Sequence, residues 1–238
     1  MNRLYYFTIL IVFNTFFYCT AVSQKIDIGL KGGVNFSSLD GVFSFQQEDV
    51  SLTLDPKNVT RYTFGGVLRY TITPHFSLQT ELLFTPRGAQ FIEDIVVRGQ
   101  PFRLTGDVNL TYIEVPLLLR LNTLRPGRGQ FFYPRPGFTL NGYVGGAAGY
   151  KTRAKFRGEL DGDLFGVPFE ESFENSLWNR TNTLDYVLVA GGGVEYGLNM
   201  RILIDIRYVY GLTDINADRQ VYDPIKNRML SVLIGVMF

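Results

Sequence analysis

Apolar and polar side chains alternate along this sequence with a period of two, in eight separate segments. Successive side chains of a β-strand point to opposite faces of a sheet, so this period predicts strands with one apolar and one polar face. Residues 201–212 show the most regular pattern, with Ile202, Ile204 and Ile206 on one face and Arg201, Asp205 and Arg207 on the other. The eight predicted strands cover residues 26–36, 61–72, 76–87, 113–121, 138–151, 185–196, 201–212 and 230–238.

Alternation alone does not say whether the apolar face points inward, as in a soluble barrel or sandwich, or outward into lipid. Five or six apolar positions recur on one face of nearly every strand, and aromatic residues cluster near the strand ends, as in outer-membrane barrels. The residues after 23 contain no apolar run close to the roughly 20 residues of a membrane-spanning helix. The sequence therefore predicts an all-β fold, an eight-stranded antiparallel up-and-down transmembrane β-barrel in the cell outer membrane.

The first 23 residues have the pattern of a signal peptide. Arg3 gives a positive start, residues 4–17 are apolar and aromatic, and Ala21 and Ser23 place small residues before a cleavage site. A membrane anchor or a lipoprotein attached at Cys19 are the alternatives. We predict a signal peptide over residues 1–23 and one outer-membrane β-barrel domain over residues 24–238.

Charge excludes one class of partner. The whole chain has 23 basic and 22 acidic residues, and removal of residues 1–23 takes away one base, no acid and the single cysteine. The balanced charge gives no reason to expect nucleic acid, which is bound by concentrated basic surfaces. Disulfides and thiol chemistry are excluded from the mature chain.

Charged residues recur on the polar face of the strands, which would line a barrel whose apolar face contacts lipid. These charges either form ion pairs that plug a narrow barrel or line a thin polar conduit, because about eight strands leave room for little more than side chains. The predicted interior charge network consists of Lys31, Arg69, Glu81, Glu114, Arg120, Glu195, Asp205 and Arg207.

Connections of two lengths alternate along the chain. Those at 73–75 and 197–200 are short, while those at 37–60, 88–109, 152–182 and 213–227 are long and polar; the long connection at 122–137 is an exception. This asymmetry is typical of short periplasmic turns and long external loops. It predicts both chain ends on the periplasmic side. Aromatic residues in the 152–182 loop form a possible recognition surface, or pack on other loops: Phe165, Phe169, Phe173 and Trp178.

Motifs for catalysis, cofactors and metals are weak. The glycine clusters at 145–149 and 191–193 continue a strand pattern, whereas a nucleotide-binding fingerprint would open a helix. His75, the only histidine, lies in a predicted short turn. The acidic residues between 161 and 174 match no calcium-binding loop. The sequence therefore predicts a non-enzymatic protein without cofactor or metal.

Three segments and the last residue carry a family resemblance. Residues 29–36, 78–84 and 112–120, together with the terminal Phe238, resemble the outer-membrane β-barrel domain of the PorT-like family of Bacteroidetes over the whole mature chain. The resemblance implies an eight-stranded outer-membrane barrel, with Phe238 as the signal recognised by the barrel assembly machinery. It also accounts for Pro116, which matches a recurring proline of the family. The family's name-giving member is associated with secretion of cell-surface proteins.

The functional prediction is an integral outer-membrane protein with a charge-filled interior. Its expected partners are membrane lipid, the barrel assembly machinery and an unknown extracellular or secretion partner that the long loops contact. A narrow passive pore for small solutes is the alternative.

Overall fold

The computed structural model describes residues 26–41, 43–47, 50–73, 75–97, 100–123, 137–164, 167–197, 200–217 and 224–238. The predicted signal peptide lies outside these residues, as do Phe165 and most of the 122–137 connection. Within these described residues, one 3-10 turn, Trp178–Arg180, accompanies eleven strands. The strands are β1 Ile26–Asp40, β2 Phe43–Gln47, β3 Val50–Leu54, β4 Val59–Thr71, β5 Phe76–Val97, β6 Gln100–Thr123, β7 Gly137–Leu164, β8 Val167–Ser176, β9 Leu184–Gly197, β10 Arg201–Gly211 and β11 Lys226–Met237.

Eight of these strands form a closed antiparallel ring. Their order is β6-β5-β4-β1-β11-β10-β9-β7, and pairing of β6 with β7 closes the circle. Each ring strand is bonded to a neighbour on both sides, so the barrel has no unpaired edge of the kind that invites aggregation. The predicted all-β, eight-stranded up-and-down barrel is confirmed. The pair β2–β3 forms a separate small sheet, and β8 pairs with β7 alone among the described strands.

The first and last ring strands, β1 and β11, pair with each other. Gly29 lies opposite Met237, and the ladder runs to Asp40 opposite Lys226. The backbone N–H of Phe238 donates to the carbonyl of Ile28 at 2.8 Å, and the N–H of Ile28 donates to the carbonyl of Phe238 at 3.3 Å. The start of β1 and the end of β11 therefore lie at the end of the barrel that also carries the short β4–β5 and β9–β10 connections. We call this the turn end, and the opposite end the hairpin end.

The outer wall of the barrel is apolar. Along β6, the side chains of Ile113, Val115, Leu117, Leu119 and Leu121 are exposed, while the residues between them are buried inside. These nine residues match the roughly 9–11 that a strand needs to cross a membrane. Exposed aromatic residues mark both ends of the band: Tyr70, Phe76 and Tyr196 towards the turn end, and Tyr62, Phe84, Tyr150, Tyr186 and Tyr208 towards the hairpin end.

Three of the four predicted long loops are wrong, because most of their residues form strands. Within 37–60, β1 continues to Asp40, and β2 and β3 pair as a hairpin. β5 continues to Val97 and β6 begins at Gln100, so residues 88–109 form a long hairpin. β7 continues to Leu164 and is followed by β8, so most of 152–182 is also hairpin. The outer face becomes polar there, and the lipid-facing pattern therefore stops although the strands continue. We call residues 87–97, 100–111, 153–164 and 167–176 the projecting sheet.

A β-bulge separates the barrel from the projecting sheet on β7. Tyr112 of β6 pairs with Lys151, whereas Thr111 pairs with Arg153, so Thr152 is the extra residue. One extra residue exchanges the two faces of the strand beyond it. Pro116, which lacks a donor N–H, lies at a gap in the β5–β6 ladder, and the same register resumes beyond the gap.

Candidate functional site

The polar residues of the ring strands point into the barrel. All eight side chains of the predicted interior charge network are buried, each belonging to a residue at most 4% exposed. They come from β1, β4, β5, β6, β9 and β10, and their contacts cross the barrel. Together with further charged side chains they form three layers, and we call these three layers the polar network.

The layer nearest the turn end is centred on Glu195. Its carboxylate pairs with Arg69 at 2.7 Å and with Arg120 at 2.8 Å. Both guanidinium groups also donate to the side-chain oxygen of Gln79, at 3.0 and 2.8 Å. At the mouth of the barrel, Arg201 pairs with Asp27 at 2.7 Å. This layer therefore fixes three arginines from three different strands.

The middle layer is centred on Glu81. Its carboxylate pairs with the ammonium group of Lys31 at 2.5 Å and with the guanidinium group of Arg207 at 2.9 Å. Asp205 is the second acid of the layer and lies 3.2 Å from Lys31. The ring of Tyr143 connects the two layers, because Arg120 and Arg207 both lie over it at 5.3 and 5.5 Å from its centre.

The layer nearest the hairpin end contains Arg87, which pairs with Glu114 and lies 3.0 Å from Asp185. The amide of Asn227 donates to the same carboxylate at 2.7 Å. Of these residues only Glu114 was predicted. Arg87 lies on the same face of β5 as Glu81, and Asp185 lies on the same face of β9 as Glu195. The alternation of the sequence alone could therefore have identified both residues.

An apolar layer covers the polar network towards the hairpin end. It includes Phe91, Leu110, Ile215 and Ile225, all buried, and we call this cluster the apolar plug. Ile215 and Ile225 come from the connection that follows β10, and the N–H of Ile215 donates to the carbonyl of Ile225 at 2.8 Å. The remaining members of the plug are Leu39, Ala89, Val108, Tyr112 and Ala154.

Charge in the polar network is balanced, since six basic side chains face six acidic ones. A paired charge can remain buried, whereas an unpaired one in the same place would be costly. The arrangement fills the barrel cross-section with side chains that hold one another in place. Its members are Lys31, Arg69, Arg87, Arg120, Arg201 and Arg207 with Asp27, Glu81, Glu114, Asp185, Glu195 and Asp205.

Lys151 attaches the 3-10 turn to the barrel. Its ammonium group donates to the carbonyl of Trp178 and the hydroxyl of Thr181, both at 2.8 Å, and also to the carbonyl of Thr181. The same ammonium lies 4.7 Å from the centre of the Trp178 ring. Trp178, one of the four predicted recognition residues, is therefore held at the hairpin end while 40% of it remains exposed.

Phe169 and Phe173 lie on β8, within the projecting sheet, and not in a loop as predicted. Phe173 pairs with Gly158, and its ring occupies the space above that glycine. Phe169 packs edge-on against Phe102 at 6.0 Å, and Phe156 contacts Phe173 at 5.9 Å. The rings thus pack on the face of the sheet that continues the barrel interior.

The other face of the projecting sheet is charged and exposed. Arg103 pairs with Asp94 at 3.0 Å, and Glu174 accepts from Lys155 and Arg157. The hydrogen bond from Lys155 lowers the pKa of the Glu174 carboxyl below its usual value. A charged outer face on strands that continue an apolar wall marks where the membrane band ends.

The described part of the chain contains no cluster of three or more His, Cys, Asp or Glu side chains placed to bind a metal ion. None of its helical segments has the length and hydropathy of a membrane span. His75 is exposed at the turn end, with its ring nitrogen Nδ1 3.3 Å from the carbonyl of Asn122.

A family described as outer membrane protein beta-barrel domain matches residues 22–217. OprG of Pseudomonas aeruginosa aligns at 13% identity and a TM-score of 0.47, covering 89% of this chain and 95% of that one. Ail, the attachment invasion locus protein of Yersinia pestis, aligns at 14% and 0.36, covering 90% and 100%. The outer membrane protease OmpT of Escherichia coli aligns at 8% and 0.37, covering 90% and 96%. No curated protein sequence matches at a significant level. The family match spans β1 through β10.

Proposed function

The chain belongs to the outer membrane protein beta-barrel domain family, and we propose that it is a non-enzymatic membrane protein that presents its projecting sheet to a partner outside the cell. Its location is the outer membrane. The observation that carries the proposal is the contrast between a barrel interior filled by ion pairs and an exposed sheet that continues beyond the apolar band. Because the interior is filled, the outer surfaces of the protein are the parts that can bind a partner.

Presentation of the projecting sheet depends on its edge. β8 is bonded to β7 on one side, and β7 is its only strand partner in the described chain. An unpaired strand edge offers N–H and C=O groups to an incoming extended segment. Val167 at the start of this strand and Trp178, two residues beyond its end, are both exposed. A partner that adds a strand to β8 would therefore meet apolar contacts at both ends.

We further propose that the chain is a PorT-like member of its family and that its partner is connected with secretion of surface proteins. Support comes from three segments of the resemblance, which lie on β1, β5 and β6 of the ring. The terminal Phe238 has its side chain on the outer wall, where an assembly factor could contact it.

We expect the purified protein to give no resolvable single-channel steps in planar lipid bilayers. The polar network crosses the barrel, and the apolar plug covers it, so a hydrated ion would have to displace paired charges and apolar side chains. Conductance in several salts is the measurement, with a general porin as the positive control. Reproducible steps would favour the alternative function, a narrow passive pore.

Contact with a partner can be tested in intact cells. A photo-crosslinking residue at Ser172, which is exposed on β8, is expected to give a discrete adduct. The same residue placed at Thr73, exposed at the turn end, is the matched control and should not give that adduct. If deletion of the gene also removes one set of proteins from the cell surface, the partner is connected with the secretion of those proteins. Equal adducts from both positions, or none from Ser172, would contradict the proposal.

A further inference from the structure

A furrow of about 440 Å³ lies on the outer wall of the barrel, inside its apolar band. Its floor is formed by Gly146 and Ala148 of β7. Its walls come from the neighbouring strands on both sides, Val115 and Leu117 of β6 and Tyr186 and Leu188 of β9. Leu212, which follows β10, also lines the furrow.

The register of the sheet explains the furrow. Gly146 lies between Leu117 and Leu188, and Ala148 lies between Val115 and Tyr186. Small outward side chains on the central strand are therefore flanked by large ones on both neighbours. The walls are exposed apolar surface at membrane level, so the occupant of the furrow must be a long, flexible hydrocarbon group or an apolar protein surface.

A row of positive charge lies directly above this furrow on the same strand. Beyond the Thr152 bulge, the outer face of β7 carries Arg153, Lys155 and Arg157, all exposed. Lys155 and Arg157 share the carboxylate of Glu174, whereas the cross-strand partner of Arg153 on β6 is the neutral Thr111. Asp107, the cross-strand partner of Arg157, is itself paired with Arg61 at 2.8 Å. Four bases with two acids therefore make this part of the membrane boundary electropositive.

The separation of the two features matches the length of a lipid. Ala148 and Arg153 are five residues apart, about 16 Å along an extended strand at ~3.3 Å per residue. Arginine side chains at a membrane boundary reach along the surface to the headgroup level. A hydrocarbon chain in the furrow would therefore place its headgroup beside Arg153.

We propose that this face of the barrel is a binding site for an anionic, phosphate-bearing membrane lipid. One acyl chain occupies the furrow between β6 and β9, and the phosphate is held at Arg153, with Lys155 and Arg157 adding to the local potential. Basic residues beside a membrane attract anionic lipids over neutral ones. A second protein copy would fill the apolar furrow equally well, but nothing in its apolar wall would complement the basic row.

Native mass spectrometry of the mature protein tests the proposal. The protein is mixed in a neutral detergent with equal amounts of phosphatidylglycerol and phosphatidylcholine that carry the same acyl chains. We expect phosphatidylglycerol to be retained about fivefold more than phosphatidylcholine, the preference that one basic residue at a membrane surface confers. The Arg153→Gln variant should lose this preference. Arg103→Gln, which changes a base elsewhere on the projecting sheet, should keep it.

A second pair of variants tests the furrow itself. Gly146→Leu fills the furrow and should reduce retention of both lipids. Gly142→Leu is the matched control, because Gly142 lies on the same outer row of β7 but outside the furrow, and a Cβ at either glycine meets no atom closer than 3.5 Å. A heat-induced shift in gel mobility confirms that each variant is folded.

Three outcomes would overturn the proposal. These are unchanged lipid preference in Arg153→Gln, equal retention by the two leucine variants, and a dimer peak that Gly146→Leu removes. The last result would assign the furrow to a second copy of the chain. None of these outcomes affects the conductance or crosslinking tests, so the lipid site and the proposed function fail independently.

Discussion

Replacement of Glu195 by glutamine is expected to lower the free energy of unfolding by about 3–5 kcal/mol, the cost of leaving a buried charge without its partner. Arg69 and Arg120 both pair with this carboxylate, and after the change only neutral oxygens would accept their hydrogen bonds. Glutamine preserves the volume of the side chain, so the loss of stability measures the effect of the charge and not that of a cavity. Unfolding by urea in lipid vesicles, followed by circular dichroism, is the measurement.

Two further variants separate a network effect from a general loss of charge. Glu174→Gln removes an acid that pairs with Lys155 on the exposed sheet, and it should leave the unfolding midpoint unchanged, because exposed pairs contribute little. Adding Arg120→Met to Glu195→Gln should restore part of the lost stability by removing one of the unpaired cations. If Glu195→Gln and Glu174→Gln behave alike, the polar network does not stabilise the barrel.

Gly145→Ala is expected to destabilise the barrel strongly, while the neighbouring Gly146→Ala should be neutral. A Cβ at Gly145 would lie 2.0 Å from the backbone carbonyl oxygen of Leu117, so the β6 and β7 backbones would have to separate. A Cβ at Gly146 points outward, and its nearest neighbour, the carbonyl oxygen of Val187, is 3.5 Å away. We expect a loss of about 3 kcal/mol, the upper part of the range for an overpacked interior.

The two alanine variants are matched, since they change adjacent residues of one strand by the same methyl group. Heat-modified gel mobility shows whether each variant folds, and urea unfolding gives the difference in stability. A Gly145→Ala protein as stable as Gly146→Ala would mean that β6 and β7 are not held as close as the structure places them.

Strand positions and the inside–outside assignment could be predicted because each depends on a local pattern. β10 alternates Ile202, Ile204 and Ile206 with Leu203, Asp205 and Arg207, and the structure exposes the first set and buries the second. A lipid-facing wall makes this pattern strong, since every outward residue must be apolar over the membrane thickness.

Beyond the membrane the same reasoning failed. On β6 the apolar residues Phe102, Leu104, Val108 and Leu110 still alternate with polar ones, but the outward residues are polar because they face water. On β7 the extra residue Thr152 exchanges the inward and outward positions. The alternation of apolar and polar residues is therefore interrupted there, although the strand continues. The hairpins were therefore predicted as loops.

The partners within the polar network could not be predicted either. Parity places Glu81, Glu195 and Asp205 inside the barrel, but the tilt and stagger of the strands decide which residues meet at one level. Glu81 meets Lys31 and Arg207, from β1 and β10, and both pairs depend on the registers of the intervening strands. Such contacts join residues that are distant in the sequence and leave no local signal.

The pairing of β1 with β11 also has a kinetic consequence. Because the ring is sealed by its first and last strands, the contact with the largest sequence separation must form before the barrel loses its last free edges. Folds dominated by such distant pairings form slowly. Until the final strand arrives, β1 and β10 each present an unsatisfied edge, so sealing should be a late, all-or-none event and the open intermediate should be the species most prone to misassociate.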